Sequence, residues 1–321
     1  MRTNAEELDH VANGWCVELS EQLEIGLGEL CGRHVFEPNI GSIPSPGARN
    51  PPLWNTDELI IDSHCHLDDR AFSGDLEGVL ERARESGVEL MLSIGTGGGP
   101  PDLAVALRVA NAHDDVYATV GVHPHDAKKF ESPATLDALA ELCSRPKVLA
   151  VGEIGLDYHY DHSPREFQKL VFIDQMELAK QEKKPIVIHT REAWDDTLTL
   201  LEERWRGSGL GGVLHCFTGS AEHARRALDL GFHIALGGAL TFARSEELRL
   251  TAAELPLDSL LVETDAPYLT PAPFRKVRPN EPRFVVETAK RLAEIRGVEC
   301  ERIAEATTCN FRRLFDLPPS A

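Results

Sequence analysis

The stretch LIIDSHCHLD, residues 59–68, ends an apolar run with two histidines one residue apart. Successive side chains of an extended strand point to opposite faces, so His64 and His66 share a face that Cys65 does not. Two neutral imidazoles at the end of a rigid strand can hold one metal ion. A pair of histidines satisfied by carbonyl groups or water is the alternative, so other ligands in the sequence must decide between the two interpretations.

Seven more short apolar runs follow the first one. The predicted strands cover residues 59–62, 88–94, 116–121, 148–152, 185–189, 212–215, 232–236 and 259–263. Runs such as VELMLSI and PIVIH are apolar without alternation, which is typical of parallel strands buried on both faces. Amphipathic segments such as DLEGVLERARESG lie between them and predict helices.

Eight strand-helix units over roughly 260 residues predict an α/β fold, a (β/α)8 TIM-type barrel. An open doubly wound sheet is the structural alternative. No Gly-x-Gly-x-x-Gly motif follows the first strand, which argues against that alternative.

The first 58 residues differ from the rest. Apolar residues at three- and four-residue steps predict a helix over residues 6–30, and five prolines over residues 37–57 predict an extended strap. We therefore expect an N-terminal helical extension, residues 1–58, before a barrel domain, residues 59–317. The extension carries three Arg against ten acidic residues, a net charge of −7. Packing on the barrel or self-association is expected of it, rather than contact with nucleic acid.

The composition limits the environment and the partners of the chain. It has 52 acidic against 33 basic residues, a net charge of −19, which opposes the basic surface of a tight non-specific nucleic-acid binder. Metal ions in a cleft can supply positive charge locally. Seven scattered cysteines without a Cys-x-x-Cys pair indicate a reducing compartment. With no signal-peptide pattern and no long apolar run, we expect a cytoplasmic protein without a membrane span.

Polar side chains recur at the predicted C-terminal ends of the strands, where such barrels place their active sites. These residues are His64, His66, His123, Glu153, His189, His215 and Asp265. All but His123 form a set of six ligands, too many for one four-coordinate ion that keeps an open position. Two divalent ions are therefore predicted. Nitrogen and carboxylate ligands suit Zn, Mn, Fe or Ni, and they also hold Mg when water fills the remaining positions.

Glu153 comes from the middle of the strand order, and its two oxygens can bridge the two ions. His64 and His66 would hold the first ion with Asp265 at its rim, and His189 and His215 would hold the second. A carboxylate at this rim can accept a proton from water while the ions stabilise charge on the substrate. Asp265 and Glu153 are thus the predicted catalytic residues, and the predicted chemistry is metal-assisted hydrolysis.

The motifs of this chain resemble, in order, those of the TatD-like metal-dependent deoxyribonucleases, a branch of the amidohydrolase superfamily. They are IDSHCHLD, GVHPH, GEIGLDY, IHTRE, HCFTGS, ETDAPYLTP and RPNEP, across residues 59–317. The resemblance implies a TIM-type barrel that holds divalent metals at the six ligands and hydrolyses phosphodiester bonds in DNA, with 3′-to-5′ exonuclease action. The long extension and the negative charge depart from the family and favour single-stranded or short DNA ends as substrate.

Four further residues are candidates for contact with the substrate. The resemblance places His123 and Arg191 where family members contact phosphate, and an ion pair with a nearby carboxylate is the alternative for Arg191. Phe217 and Tyr268 flank the rim, where either ring can stack on a terminal base. Packing in the core or in a lid is the alternative for both rings.

Two other functions stay open. The same metal site suits a D-aminoacyl-tRNA deacylase or another ester or amide hydrolase. Glu153 rather than a lysine on the fourth strand argues against a phosphotriesterase-type site, but not against cleavage of aminoacyl esters. A non-catalytic binding protein on the same barrel is disfavoured because all six ligand positions are filled.

Overall fold

The computed structural model describes residues 59–319, and the predicted N-terminal extension over 1–58 lies outside the described residues. Eight parallel strands alternate with helices, and each strand pairs with the next one in chain order. The strands are β1 (Ile60–Cys65), β2 (Val88–Ser93), β3 (Val116–Val120), β4 (Val148–Asp157), β5 (Ile186–Arg191), β6 (Gly212–Leu214), β7 (Phe232–Leu236) and β8 (Leu260–Val262). The predicted (β/α)8 TIM-type barrel is confirmed.

The barrel closes between its first and last strands. Cys65 forms a parallel bridge with Ala266, and the amide of His66 donates to the carbonyl of Ala266 at 2.7 Å. The buried carboxylate of Asp62 accepts from the amide of Thr264 at 2.9 Å and from its hydroxyl at 2.6 Å. These bonds tie β1 to the segment after β8 at the end of the barrel where the predicted ligands lie.

Nine α-helices lie between and after the strands of the described region. They are α1 (Leu76–Glu85), α2 (Val105–Ala112), α3 (Ala134–Cys143), α4 (Arg165–Gln181), α5 (Trp194–Arg204), α6 (Ala221–Leu228), α7 (Glu246–Glu254), α8 (Val285–Arg296) and α9 (Cys300–Leu314). Short 3-10 helices cover Arg70–Phe72, Pro124–Lys129, Gly238–Thr241, Leu257–Ser259 and Pro282–Phe284. Over residues 59–319, none of the helices combines the length and the apolar character needed to cross a bilayer.

The last helix covers the end of the barrel opposite the predicted ligands. Phe311 of α9 is buried in a cluster with the strand residues Ile61 and Leu261. The side-chain amide of Asn310 donates to the carbonyl of Leu260, the first residue of β8, at 2.9 Å. The N-terminal ends of the strands are therefore packed, while their C-terminal ends are left for a site.

The fourth strand runs five residues beyond its predicted end at residue 152. Gly155 makes this possible, because a Cβ at this position would clash with the backbone oxygen of His189 on the adjacent strand. Pairing of β4 with β5 continues through Gly155 and His189 to Asp157 and Arg191. Glu153 therefore lies inside β4 rather than after it, with its side chain fixed by a paired strand.

Candidate metal centre

The predicted ligands converge on the buried carboxylate of Glu153. Its Oε1 lies 2.7 Å from Nδ1 of His189 and 2.7 Å from Nε2 of His215. Its Oε2 lies 3.6 Å from Nε2 of His64 and 4.0 Å from Nε2 of His66. The two oxygens thus divide the four histidines into two pairs, an arrangement that suits a carboxylate shared between two ions.

Asp265 lies on the same side of Glu153 as the first histidine pair. Its Oδ1 is 3.4 Å from Nε2 of His66 and 3.7 Å from Nε2 of His64. The residue has a φ of 54°, in the left-handed region that few residues other than glycine adopt. Its amide donates to the carbonyl of His64 at 2.9 Å, which holds this turn against β1. The side chain is 13% exposed, so this carboxylate lies where the centre meets solvent.

The donor atoms of this centre fit a divalent cation. Three sets of side chains have ligand atoms within 4.8 Å of one another: His64, His215 and Asp265; His64, His66 and Glu153; His123, Glu153 and His189. The Nε2 atoms of His64 and His66 face each other at 3.4 Å. Imidazole nitrogens that converge beside carboxylates are the ligand set expected for Zn or Mn, and for Mg with added water.

Two groups of the centre, Glu153 and His64, have charge states that suit cation binding. Burial lowers the pKa of His66, His189 and His215, but the neighbouring carboxylates outweigh burial and raise the pKa of all three. Burial alone raises the pKa of a carboxyl group, but the charge of His215, with the nearby rings of His123 and His189, holds the pKa of Glu153 well below its ordinary value. Burial, reinforced by the charge of His215, lowers the pKa of His64 well below its ordinary value. At pH 7 the carboxylate is therefore ionised and the His64 ring neutral, the forms in which both groups bind metals.

His123 lies beside the centre, and its hydrogen bonding makes it a donor. The backbone amide of His125 donates to Nδ1 of His123 at 3.2 Å, so a neutral ring carries its proton on Nε2. That nitrogen lies 3.7 Å from Oε1 of Glu153. Burial lowers the pKa of His123 to about 4, so the ring is neutral at pH 7. A protonated Nε2 donates a hydrogen bond and does not ligate a metal, which separates His123 from the other four histidines.

Sequence reasoning missed Asp157, the last residue of β4. Its Oδ2 lies 3.0 Å from Nε2 of His189 and 3.0 Å from Nε2 of His125. By accepting the Nε2 proton of His189, the carboxylate leaves Nδ1 free to face the centre. A signal was present, because residues 153 and 157 of one strand share a face. It was lost because the strand was predicted to end at residue 152.

Glu263 is a second carboxylate of the site that sequence reasoning missed. It is fully buried next to β8, and its Oε1 accepts from the amide of Cys216 at 2.5 Å and lies 3.6 Å from Nδ1 of His215. The other ring nitrogen of His215, Nε2, faces Glu153. In the sequence Glu263 ends a predicted apolar strand and begins the motif ETDAPYLTP, so a signal was present, but Asp265 of the same motif was chosen as the ligand.

The candidate substrate contacts lie at different depths. The guanidinium of Arg191, at the end of β5, lies 4.6 Å from the centre of the Tyr160 ring. Phe217 is 1% exposed and packs edge-on against Trp194 at 5.1 Å between ring centres, so packing is its role. Tyr268 remains 42% exposed at the rim and is the only one of the two flanking rings that a base can reach.

Comparison with known proteins agrees with this geometry. Residues 61–316 match the family model described as TatD related DNase. The chain is 42% identical over 257 residues to the metal-dependent hydrolase YabD of Bacillus subtilis (strain 168), a match that covers 80% of this chain and 99% of the relative. It is 37% identical over 262 residues to the 3′-5′ ssDNA/RNA exonuclease TatD of Klebsiella pneumoniae (strain 342), covering 80% of this chain and 98% of the relative.

Solved structures show the same relationship. The crystal structure of YJJV, a TatD homolog from Escherichia coli K12, matches with a TM-score of 0.75 and 36% sequence identity. The match covers 81% of this chain and 98% of that structure. The similarity therefore extends over the barrel and the residues of the candidate metal centre. This chain is a metal-dependent hydrolase that belongs to the TatD-related DNase family.

Proposed function

We propose that this chain is a divalent-metal-dependent 3′-5′ exodeoxyribonuclease that hydrolyses phosphodiester bonds at single-stranded or short DNA ends. The observation that carries the proposal is the division of four histidines between the two oxygens of Glu153. A relative named 3′-5′ ssDNA/RNA exonuclease supports the substrate class. The net charge of −19 disfavours a tight grip on long duplex DNA.

Two divalent ions, Mg, Mn or Zn, are the proposed cofactors. His64, His66 and Asp265 would hold the first ion. His189 and His215 would hold the second, and Glu153 would bridge the two. When bound, such ions lower the pKa of water and neutralise charge on phosphate oxygens.

Asp265 is the proposed general base. Its carboxylate lies at the solvent side of the centre, within reach of a water that enters beside His66. The water oxygen forms a bond to phosphorus, and the bond from phosphorus to the 3′ oxygen of the preceding nucleotide breaks. The proton that Asp265 takes from the water then passes to that leaving oxygen.

His123 and Arg191 are the proposed contacts to the phosphate. The Nε2 proton of His123 points into the centre, where it can donate to a non-bridging oxygen. Arg191 presents a planar fork of N–H groups that matches phosphate oxygens. Neither residue needs to change its protonation state for this role.

The domain organisation follows the same proposal. Residues 59–317 form the proposed hydrolase domain, and residues 1–58 precede it as a separate segment. The family match over residues 61–316 supports the boundary. Cys65, Cys143, Cys216 and Cys309 are free cysteines in the described region, which supports a reducing, cytoplasmic compartment.

Release of nucleotides from end-labelled oligonucleotides tests the function. Single- and double-stranded oligonucleotides are incubated with chelator-treated protein after addition of Mg, Mn or Zn, with Glu153→Ala as the inactive control. We expect stepwise, metal-dependent shortening of single strands from the 3′ end by the wild type only. If metal-loaded wild type shortens no oligonucleotide, the nuclease proposal is wrong, and D-aminoacyl esters of tRNA are the next substrates to test.

A further inference from the structure

A row of aromatic rings leads from the metal centre to the protein surface beside β3 and β4. The ring centres of His123 and His125 are 4.3 Å apart, and those of His125 and His162 are 4.6 Å apart. The ring of Tyr160 lies 5.4 Å from that of His162, and the two planes are parallel to within 1°. His162 is exposed. The row begins at His123, the proposed hydrogen-bond donor to phosphate. It ends at the accessible ring of His162, which is stacked on the ring of Tyr160.

The loop that carries the exposed ring is fixed by hydrogen bonds. The Nζ of Lys128 donates to the carbonyl of His162 at 2.9 Å. The next residue, Ser163, donates from its hydroxyl to the carbonyl of His125 at 2.7 Å. The side-chain amide of Gln168 donates to the carbonyl of Ser163 at 2.9 Å. A ring presented by a fixed backbone loses little conformational freedom when a ligand stacks on it.

The charges around the rings are compatible with a nearby phosphate. Acidic side chains near the rings have partners. Asp161 pairs with Arg165 at 2.9 Å, Asp126 with Lys129 at 2.7 Å, and Glu192 with His159 at 2.7 Å. Asp157 lies 3.0 Å from both His125 and His189. The guanidinium of Arg191 lies over the adjacent tyrosine ring. A nucleotide that approaches the rings therefore meets cations and already paired carboxylates.

We propose that His162, stacked on Tyr160, is the platform for the base of a nucleotide that adjoins the phosphate held at His123. The inference rests on the proposed nuclease function and specifies where its substrate binds. Every nucleobase has a π face, so stacking here supplies affinity without sequence preference. The role of His162 is binding, because its ring lies outside the metal centre and contacts no proposed ligand.

Cleavage kinetics on substrates that lack one base test the platform. Metal-loaded full-length wild type and His162→Ala act on a single-stranded oligonucleotide, either intact or with an abasic residue on one side or the other of the cleaved phosphodiester. We expect His162→Ala to raise KM by about 5-fold to about 100-fold, the loss expected for one stacked base. The kcat should change by less than about threefold, because binding in the ground state and the transition state is weakened equally. At one of the two abasic positions, loss of the base should raise the KM of the wild type as much as His162→Ala raises it on the intact substrate. Loss of the same base should not raise the KM of His162→Ala any further.

Two further variants test whether the change in KM depends on an aromatic ring at residue 162. His162→Trp retains an aromatic face and should bring KM to within about threefold of the wild type. His113→Ala removes a histidine that precedes β3 at the opposite end of the barrel and should leave KM unchanged. The platform is refuted if the fold-changes in KM caused by His162→Ala and by the missing base multiply at both abasic positions, because the ring and the base then act independently. It is also refuted if His162→Trp does not restore KM. In both cases the nuclease function stands. If wild type cleaves no oligonucleotide, both proposals fall.

Discussion

Oδ2 of Asp157 lies 3.0 Å from Nε2 of His189, on the side of the imidazole ring that faces away from Glu153. The opposite ring nitrogen, Nδ1, lies 2.7 Å from Oε1 of Glu153. The ring is thus held between two carboxylates, one inside the metal centre and one behind it. A carboxylate behind a metal-binding histidine fixes the tautomer and the orientation of the ring.

Replacement of Asp157 by Asn should weaken metal binding without removing a ligand. We expect the affinity for the more weakly held ion to fall by about 10- to 100-fold, the usual effect of losing such a partner. Competition with a chromophoric chelator measures this affinity. The matched control is Asp62→Asn, since Asp62 is also a buried carboxylate but accepts from Thr264 and the backbone amide of His64 and from no imidazole ring. Equal losses in both variants would show general destabilisation rather than positioning of His189.

His123 provides a test of the assignment of tautomers. His123→Ala removes the Nε2 donor and should lower kcat by about 100- to 1000-fold, as loss of one preorganised donor does. The number of bound ions per chain should not change, because Nε2 carries a proton and is no ligand. His123→Gln retains an amide donor and should keep intermediate activity. Loss of an ion from His123→Ala, measured by elemental analysis, would make His123 a metal ligand and contradict the assignment.

The closure of the barrel makes a prediction about stability. Thr264→Val removes the hydroxyl that donates to the buried carboxylate of Asp62 and should lower the free energy of unfolding by about 1–3 kcal/mol. Urea unfolding of the metal-free protein measures the change. Thr288→Val is the matched control, because the hydroxyl of Thr288 is buried without a hydrogen-bond partner among the described residues. Thr288→Val should leave the free energy of unfolding nearly unchanged. A similar decrease in both variants would show that the hydrogen bond to Asp62 does not account for the effect of Thr264→Val.

His233 of β7 predicts a dependence of stability on pH that does not involve the metal centre. Both ring nitrogens are buried without a hydrogen-bond partner in the described part of the chain. Burial, with a smaller contribution from the charge of Arg313, lowers the pKa of His233 from 6.5 to about 4. The unfolded chain binds this proton at higher pH than the folded one. The contribution of His233 to the free energy of unfolding is therefore fully present above pH 6.5 and is lost as the pH falls toward 4.

The comparison with His233→Phe isolates this residue, since phenylalanine does not titrate. The free energy of unfolding of the wild type should fall relative to that of the variant between pH 6.5 and pH 4. Urea titrations at several pH values give the difference. A difference that stays constant over this range would mean that His233 is not held neutral by the fold.

The barrel and the convergence of ligands could be predicted from local sequence. Strands buried on both faces are apolar without alternation, and parallel strands of a barrel bring their C-terminal ends to one rim. His64, Glu153 and Asp265 were therefore placed together without knowledge of any contact between them. Three strands run beyond their predicted ends: β1 to residue 65 rather than 62, β4 to 157 rather than 152, and β5 to 191 rather than 189. The extension of β4 could not be predicted locally, because the need for Gly155 to approach His189 closely depends on a neighbouring strand.

The contacts of the supporting carboxylates could not be predicted in this way. Asp157 acts through contacts with His125 and His189, which belong to other parts of the chain. Glu263 likewise accepts a hydrogen bond from the amide of Cys216 and lies 3.6 Å from Nδ1 of His215. No periodicity or motif spacing encodes such contacts, because they arise only when distant strands lie side by side.

The most direct test of the bridging role of Glu153 counts bound ions and released nucleotides in the same samples of wild type, Glu153→Ala and Asp265→Asn. We predict two ions per wild-type chain and stepwise shortening of single-stranded DNA from its 3′ end. Glu153→Ala should lose metal and activity together, whereas Asp265→Asn should keep at least one ion yet lose most of its turnover. A Glu153→Ala protein with full metal content and full rate would contradict a metal centre built on this carboxylate.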